Sequence, residues 1–126
     1  MHLMSRLRLA FACAAIVAVG SCVTPSIPVP PPDLQHMTFA IDATGGTATF
    51  AYSATGYDLA GAIVYVFDRK QGKGVIDTFR ADRTVGPTSP FPAAAGDEID
   101  VTFQQGDQAQ SICVVLQTGA PTAKCL

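Results

Sequence analysis

Residues 36–126 of this 126-residue chain predict an all-β fold, one small β-sandwich of six to seven antiparallel strands. Three observations carry the expectation. Apolar and polar residues alternate in short runs, Gly, Pro and Asp break those runs every 8–14 residues or so, and no stretch keeps apolar residues at helical spacing for three turns. At about 90 residues the domain is near the low end of what builds a core of its own.

Residues 37–42 place Phe39 and Ile41 on one face. Thr44-Gly45-Gly46 reads as a turn, after which residues 47–53 put Ala48, Phe50 and Tyr52 on one face. Residues 62–67 (AIVYVF) are apolar on both sides, the pattern of a strand at the centre of a fold. A glycine-rich turn at 70–74 leads to a strand at 75–80. Pro87, Pro90 and Pro92 make the next stretch irregular or edge-like, because proline has no amide to give to a ladder. Residues 98–104 alternate, with Ile99, Val101 and Phe103 inward and Asp100, Thr102 and Gln104 outward. Gly106-Asp107 is a hairpin turn, and residues 110–117 carry Ile112, Val114 and Leu116 inward. Core packing is expected of Tyr52 and Tyr65, and exposure of Tyr57 in the loop Gly56-Tyr57-Asp58.

The first residues follow a different logic. In MHLMSRLRLAFACAAIVAVGSC, Arg6 and Arg8 form a positive start and residues 9–19 an unbroken apolar run. That run is shorter than the ~20 residues a membrane-crossing helix needs, and its small-residue end matches a signal peptide. Val19-Gly20-Ser21-Cys22 then resembles the lipobox of bacterial lipoproteins, an aliphatic residue and two small ones before cysteine. The resemblance implies cleavage before Cys22 and acylation of that residue, through diacylglycerol on its thiol and usually a further chain on its new amino group. Cys13 offers a competing box, Ala10-Phe11-Ala12, but Phe11 is bulky and the apolar run would be cut short. The domain plan is therefore a lipoprotein signal peptide at 1–21, a lipidated cysteine and proline-rich spacer at 22–35, and the β-sandwich at 36–126.

In the spacer, Pro25, Pro28, Pro30, Pro31 and Pro32 exclude helix and central strand alike. Such a stretch favours polyproline II, rising about 3.1 Å per residue, so residues 25–32 would reach roughly 25 Å. Behind a lipidated cysteine it reads as a stalk; the alternative is a ligand for an SH3-like groove.

Within the domain, GAIVYVFDRKQGKGVIDTFRADRTVGPTSPFPAAAGDEIDVTF (residues 61–103) has a strand ending in Asp, a Gly-containing turn, and an Ala81-Asp82 step. A proline-bounded edge and a Gly96-Asp97 turn into an alternating strand follow. This run resembles the second half of immunoglobulin-like modules of bacterial surface proteins. It departs from antibody domains in lacking tryptophan and any cysteine pair spaced to bridge two sheets, so the resemblance implies the sandwich and no antibody-like recognition.

With Cys22 lipidated, Cys113 and Cys125 remain as an even pair in an oxidising compartment, and a disulfide between them is expected. A redox-active pair is the other reading, but the spacing is not C-x-x-C and no βαβ pattern accompanies it.

Beyond the leader, Arg69, Lys70, Lys73, Arg80, Arg83 and Lys124 face all ten acidic residues, a side-chain balance of −4. No basic face is present to neutralise phosphates, so nucleic acid is excluded as a partner. His36 stands alone at the spacer's exit, where a solvated residue is expected, not a catalytic one held by a third group. One histidine cannot build a zinc site once both cysteines are bridged. Asp97-Glu98-Asp100, with help from Asp42, Asp58 or Asp107, is a calcium candidate; the alternative is a turn at Asp97 followed by the outward side of a strand. Without Trp, and with three Tyr, a sugar-binding cleft between paired carboxylates is not expected.

The expectation is thus a non-catalytic envelope lipoprotein with no cofactor, tethered through lipid on Cys22 and serving a structural or protein-binding role. Val23, in place of Asp, after the lipidated cysteine favours the outer membrane by analogy with lipoprotein sorting. A small-ligand carrier or enzyme-inhibitor lipoprotein is the alternative: it would have an apolar cavity within the sandwich, where a protein binder would have a filled core and an exposed apolar edge.

Overall fold

The computed structural model describes residues 28–54 and 56–126. The expected signal peptide, the expected lipobox with Cys22, and the first part of the proline-rich segment lie outside the described residues. A short 3₁₀ turn, Leu34–His36, is capped by Asp33, whose side chain accepts the Gln35 amide. Eight strands follow: β1 (Met37–Asp42), β2 (Thr47–Ser53), β3 (Ile63–Asp68), β4 (Lys73–Thr78), β5 (Thr84–Val85), β6 (Phe91–Pro92), β7 (Glu98–Gln105) and β8 (Gln108–Val115). Among the described residues no helix is long and apolar enough to cross a membrane.

The strands form two antiparallel sheets. In the first, β1 pairs with β2, and β2 pairs with both β5 and β6; the second runs β4-β3-β7-β8. The expected six to seven strands become eight because the segment between β4 and β7 contributes two strands of two residues each, β5 ahead of Pro87 and β6 at Pro92. Pro92 sits opposite Thr47 at a sheet edge, where its missing amide costs no ladder bond. The expected 75–80 strand lies at 73–78 and the expected 110–117 strand at 108–115, so Leu116 is buried just past the end of β8.

Period-two alternation builds the core. Met37 and Phe39 from β1, Ala48, Phe50 and Tyr52 from β2, Val64 and Val66 from β3, and Ile99, Val101 and Phe103 from β7 are buried between the sheets. Register puts Phe39 opposite Phe50, with ring centroids 5.3 Å apart. Tyr52 meets Phe103 edge-on at 4.8 Å, and Phe79 closes the aromatic cluster at 5.1 Å from Phe103. These rings occupy the interior, and contacts of this geometry add to area burial by about 0.5–1.5 kcal/mol per pair.

Two features set where the chain's ends lie. Val29 is 3% exposed and Pro32 is buried, and the Val29 amide donates to Gln108 Oε1 at 2.8 Å. The proline-rich segment is therefore packed on the body from Val29 onward, because Val29 gives it an apolar side chain to bury. At the other end the tail runs back along β8: Val115 donates to Ala123 O and Cys125 to Cys113 O, each at 3.0 Å. Gly119 then exchanges backbone bonds with Phe39 of β1 at 2.8 and 2.9 Å. The tail thus covers one side of the sandwich, from the edge of β8 to the edge of β1.

Candidate functional site

The two outer sheet faces differ in chemistry. On the first sheet, the outward residues of β1 and β2 are small or hydroxylic, among them Thr38, Ala40, Thr49 and Ala51. On the second, β3 and β4 turn outward Ile63, Tyr65, Phe67 and Ile76, of which Ile63, Phe67 and Ile76 are 37%, 42% and 65% exposed. Register makes these four contiguous, since Tyr65 lies opposite Ile76 and Phe67 opposite Gly74. Residues 62–67 were expected at the centre because they are apolar on both sides. β3 is central in its sheet, with β4 and β7 as neighbours, but of its apolar residues only Val64 and Val66 point into the core. Among the described residues nothing covers the other face of this two-layer fold, so a strand apolar on both sides leaves one apolar face to solvent. Tyr65, expected in the core, is accordingly half-buried on this outer face, where its hydroxyl donates to Gln104 Oε1 at 2.9 Å.

Polar groups border the apolar strip along β7 and β8. Arg69 donates twice to Asp100, with Nε to Oδ2 and Nη2 to Oδ1 both at 2.8 Å, and lies 3.6 Å from Glu98 Oε2. The two carboxylates hold the guanidinium more firmly charged than usual, Asp100 first. Thr102 and Ser111 share a hydroxyl contact of 2.6 Å across the strands. Beyond them Cys113 and Cys125 form the disulfide, with Cα atoms 5.3 Å apart.

The acidic candidates for calcium do not converge. Glu98 and Asp100 face outward on β7 and are engaged by Arg69, while Asp97 turns inward and is 5% exposed. Its Oδ2 accepts the Ala94 amide at 3.1 Å, and its side chain meets that of Asp68, which is fully buried at the end of β3. Asp68 Oδ1 accepts the amides of Lys70 and Gln71 at 2.8 and 2.9 Å; Oδ2 has no donor. Two acceptors facing one another are stable only when one carries a proton. Burial, then the hydrogen bond with Asp97, pushes the Asp68 carboxyl above the ordinary range, while the same bond holds Asp97 below it. Of the remaining acids, Asp42 and Asp58 accept local turn amides, Gly45 and Ala60 respectively, and Asp107 lies in the β7–β8 turn. The one group of three possible ligands found among the described residues is Glu98 with Cys113 and Cys125, whose sulfurs are bonded to each other.

His36 is partly exposed, 3.9 Å from Asp33 and edge-on to Tyr52 at 6.0 Å. Tyr52 is a core residue whose hydroxyl accepts the Asp33 amide at 3.1 Å. Tyr57 is 51% exposed and borders a surface groove of about 500 Å³ together with Pro28, Pro30 and Leu59. Compared with family models, curated proteins and solved structures, the chain matches none.

Proposed function

We propose that this chain is a non-catalytic lipoprotein of the bacterial cell envelope whose immunoglobulin-like module contacts another protein through the outer face of β4-β3-β7-β8. The observation that carries the contact surface is the exposure of Ile63, Phe67 and Ile76 side by side on one sheet. Single exposed apolar residues are ordinary, but a contiguous strip rimmed by charge is the pattern of an interaction site. The filled interior favours this reading over a carrier; a groove beside Tyr57 is the feature that favours the carrier or inhibitor.

Strand order supports the immunoglobulin-like assignment. β1-β2-β5 against β4-β3-β7-β8 follows the A-B-E and C′-C-F-G arrangement of such sandwiches. The tether rests on the leader and on Val19-Gly20-Ser21-Cys22, and Val23 favours the outer membrane.

Two measurements test the proposal in the cell of origin. Labelled palmitate is expected in the full chain and absent from Cys22→Ala; label in both would overturn the anchor. A photo-crosslinking residue at position 67 is expected to trap a protein partner that the same residue at position 38, on the other sheet, does not. Equal trapping at both positions, or at neither, would overturn the contact surface.

A further inference from the structure

The geometry points to a second copy of this chain beside that surface, joined by antiparallel pairing of β4 with β4 about a two-fold axis at Val75, so that the outer faces of the two copies run together. The inference rests on the outer face being a contact surface. It starts from an asymmetry in the sandwich. On one side the tail covers β8 and β1 through Val115, Gly119 and Cys125. On the other, β4 is hydrogen-bonded to β3 alone; β6 of the first sheet lies close to it, but among the described residues no bridge reaches its outer edge.

An unpaired edge is normally guarded by charge. The charges on β4 are Lys73 and Asp77, opposite in sign and four residues apart on the same side of the strand as Val75. Centred on Val75, an antiparallel pair of β4 strands sets Lys73 of each copy opposite Asp77 of the other. The guard that repels other strands thus becomes complementary toward itself. Neither residue has an ion partner among the described residues. Asp77 Oδ1 accepts only its neighbour's amide, from Thr78 at 2.8 Å.

The outer face agrees with this register. Gly74 of one copy falls opposite Ile76 of the other, and Gly74 has no side chain to obstruct it. Ile76 would then lie between Tyr65 of its own copy and Phe67 of the second, following the Tyr65–Ile76 and Phe67–Gly74 pairings. Centring the axis on Ile76 instead puts Lys73 opposite Phe79, and centring it on Gly74 puts Lys73 opposite Val75, so either shift loses both ion pairs. A contact along one strand buries less than the ~1,000 Å² of a stable free dimer. Anchoring both copies in one membrane raises their effective concentration and offsets that deficit.

The test uses the full chain in its membrane, as two copies with different epitope tags. Directly opposite residues of an antiparallel pair lie about 4.5–5.5 Å apart, within the reach of a disulfide. Val75→Cys is therefore expected to yield, on mild oxidation, a covalent dimer carrying both tags. Adding Asp77→Lys is expected to cut the yield about tenfold, as two attractive pairs become repulsive, and adding Lys73→Asp as well to restore it. No dimer from Val75→Cys, an unchanged yield with Asp77→Lys, or failure of the double exchange to restore it would overturn the inference. Proximity labelling between the two tagged copies in the same membrane, wild type against Asp77→Lys, reads the same contact without a cysteine, and equal signals would also overturn it. A heterologous protein trapped at position 67 with no dimer through position 75 would leave the contact surface standing and remove the second copy.

Discussion

Asp68 and Asp97 face each other at the end of the sandwich, both shielded from solvent, one closing β3 and the other preceding β7. Backbone amides anchor one oxygen of each, from Lys70 and Gln71 on Asp68 and from Ala94 on Asp97. Burial raises the Asp68 carboxyl and the interaction between the two side chains lowers Asp97, which couples the β3–β4 turn to the turn before β7.

That coupling has a definite pH signature. Asp68 titrates above its ordinary 3.8, chiefly through burial, so its contribution is complete below 3.8 and is lost as pH rises through its folded value. Asp97 titrates below 3.8, chiefly through its bond to Asp68, so its contribution is present above 3.8 and lost as pH falls through its folded value. The pair is therefore most stabilising near the ordinary carboxylate value and less so toward neutral pH. Asp68→Asn keeps the acceptor for Lys70 and Gln71 and adds a permanent donor for Asp97. Melting between pH 4 and 8 is expected to show the variant gaining on wild type as pH rises; parallel profiles would refute the coupling.

The Cys113–Cys125 bond closes a loop with a sequence separation of 12 and holds the tail along β8. Such a loop is worth about 3 kcal/mol in the chain-entropy model. Cys113→Ser and Cys125→Ser are each expected to lower the melting temperature by about 10–20 °C, to the same extent. Unequal losses would mean that one cysteine matters outside the bond.

Thr88 stands in for a missing strand beside Phe50. Its Oγ1 accepts the buried Phe50 amide at 3.0 Å and its own amide donates to Phe50 O at 2.9 Å. Thr88→Val keeps the shape and strands that amide, so a loss of about 1–3 kcal/mol in chemical denaturation is expected. Gly86 next to it has φ +84, and a Cβ there would run into the Phe50 carbonyl. Gly86→Ala is expected to cost at least as much.

Val29 distinguishes a docked segment from a free stalk. Buried in the core cluster, it is expected to lose about 1–3 kcal/mol on substitution by Ala and to expose the proline-rich segment to protease. A change in neither stability nor cleavage would show the stalk to begin after Val29.

How much of this was legible beforehand depends on the range of the interaction. Alternation placed β1, β2 and β7 and named Phe39, Phe50, Val101 and Phe103 as core, because one side chain in two must point inward whatever the partner strand. Cysteine count and compartment were enough for the Cys113–Cys125 pair. Val29, in contrast, carried no local mark separating it from its proline neighbours; its amide is held by Gln108, 79 residues away, and its side chain joins a core built from distant strands.

The outer face and the carboxyl pair were settled only in three dimensions. Asp68 continues the inward parity of Val64 and Val66, and Asp97 looks like an ordinary turn residue; their meeting requires β3 and β7 to be neighbours. The stretch from Ala62 to Phe67 determined that β3 is apolar on both sides. Whether the second side is core or surface depends on the number of layers, and two layers leave Ile63 and Phe67, with Ile76 of β4 beside them, facing solvent. The sequence alone determined the alternation and the cysteine pair, because each is a local pattern or a count. Tertiary structure decided which apolar face is left uncovered and which edge is left unpaired, because both depend on what packs across a strand.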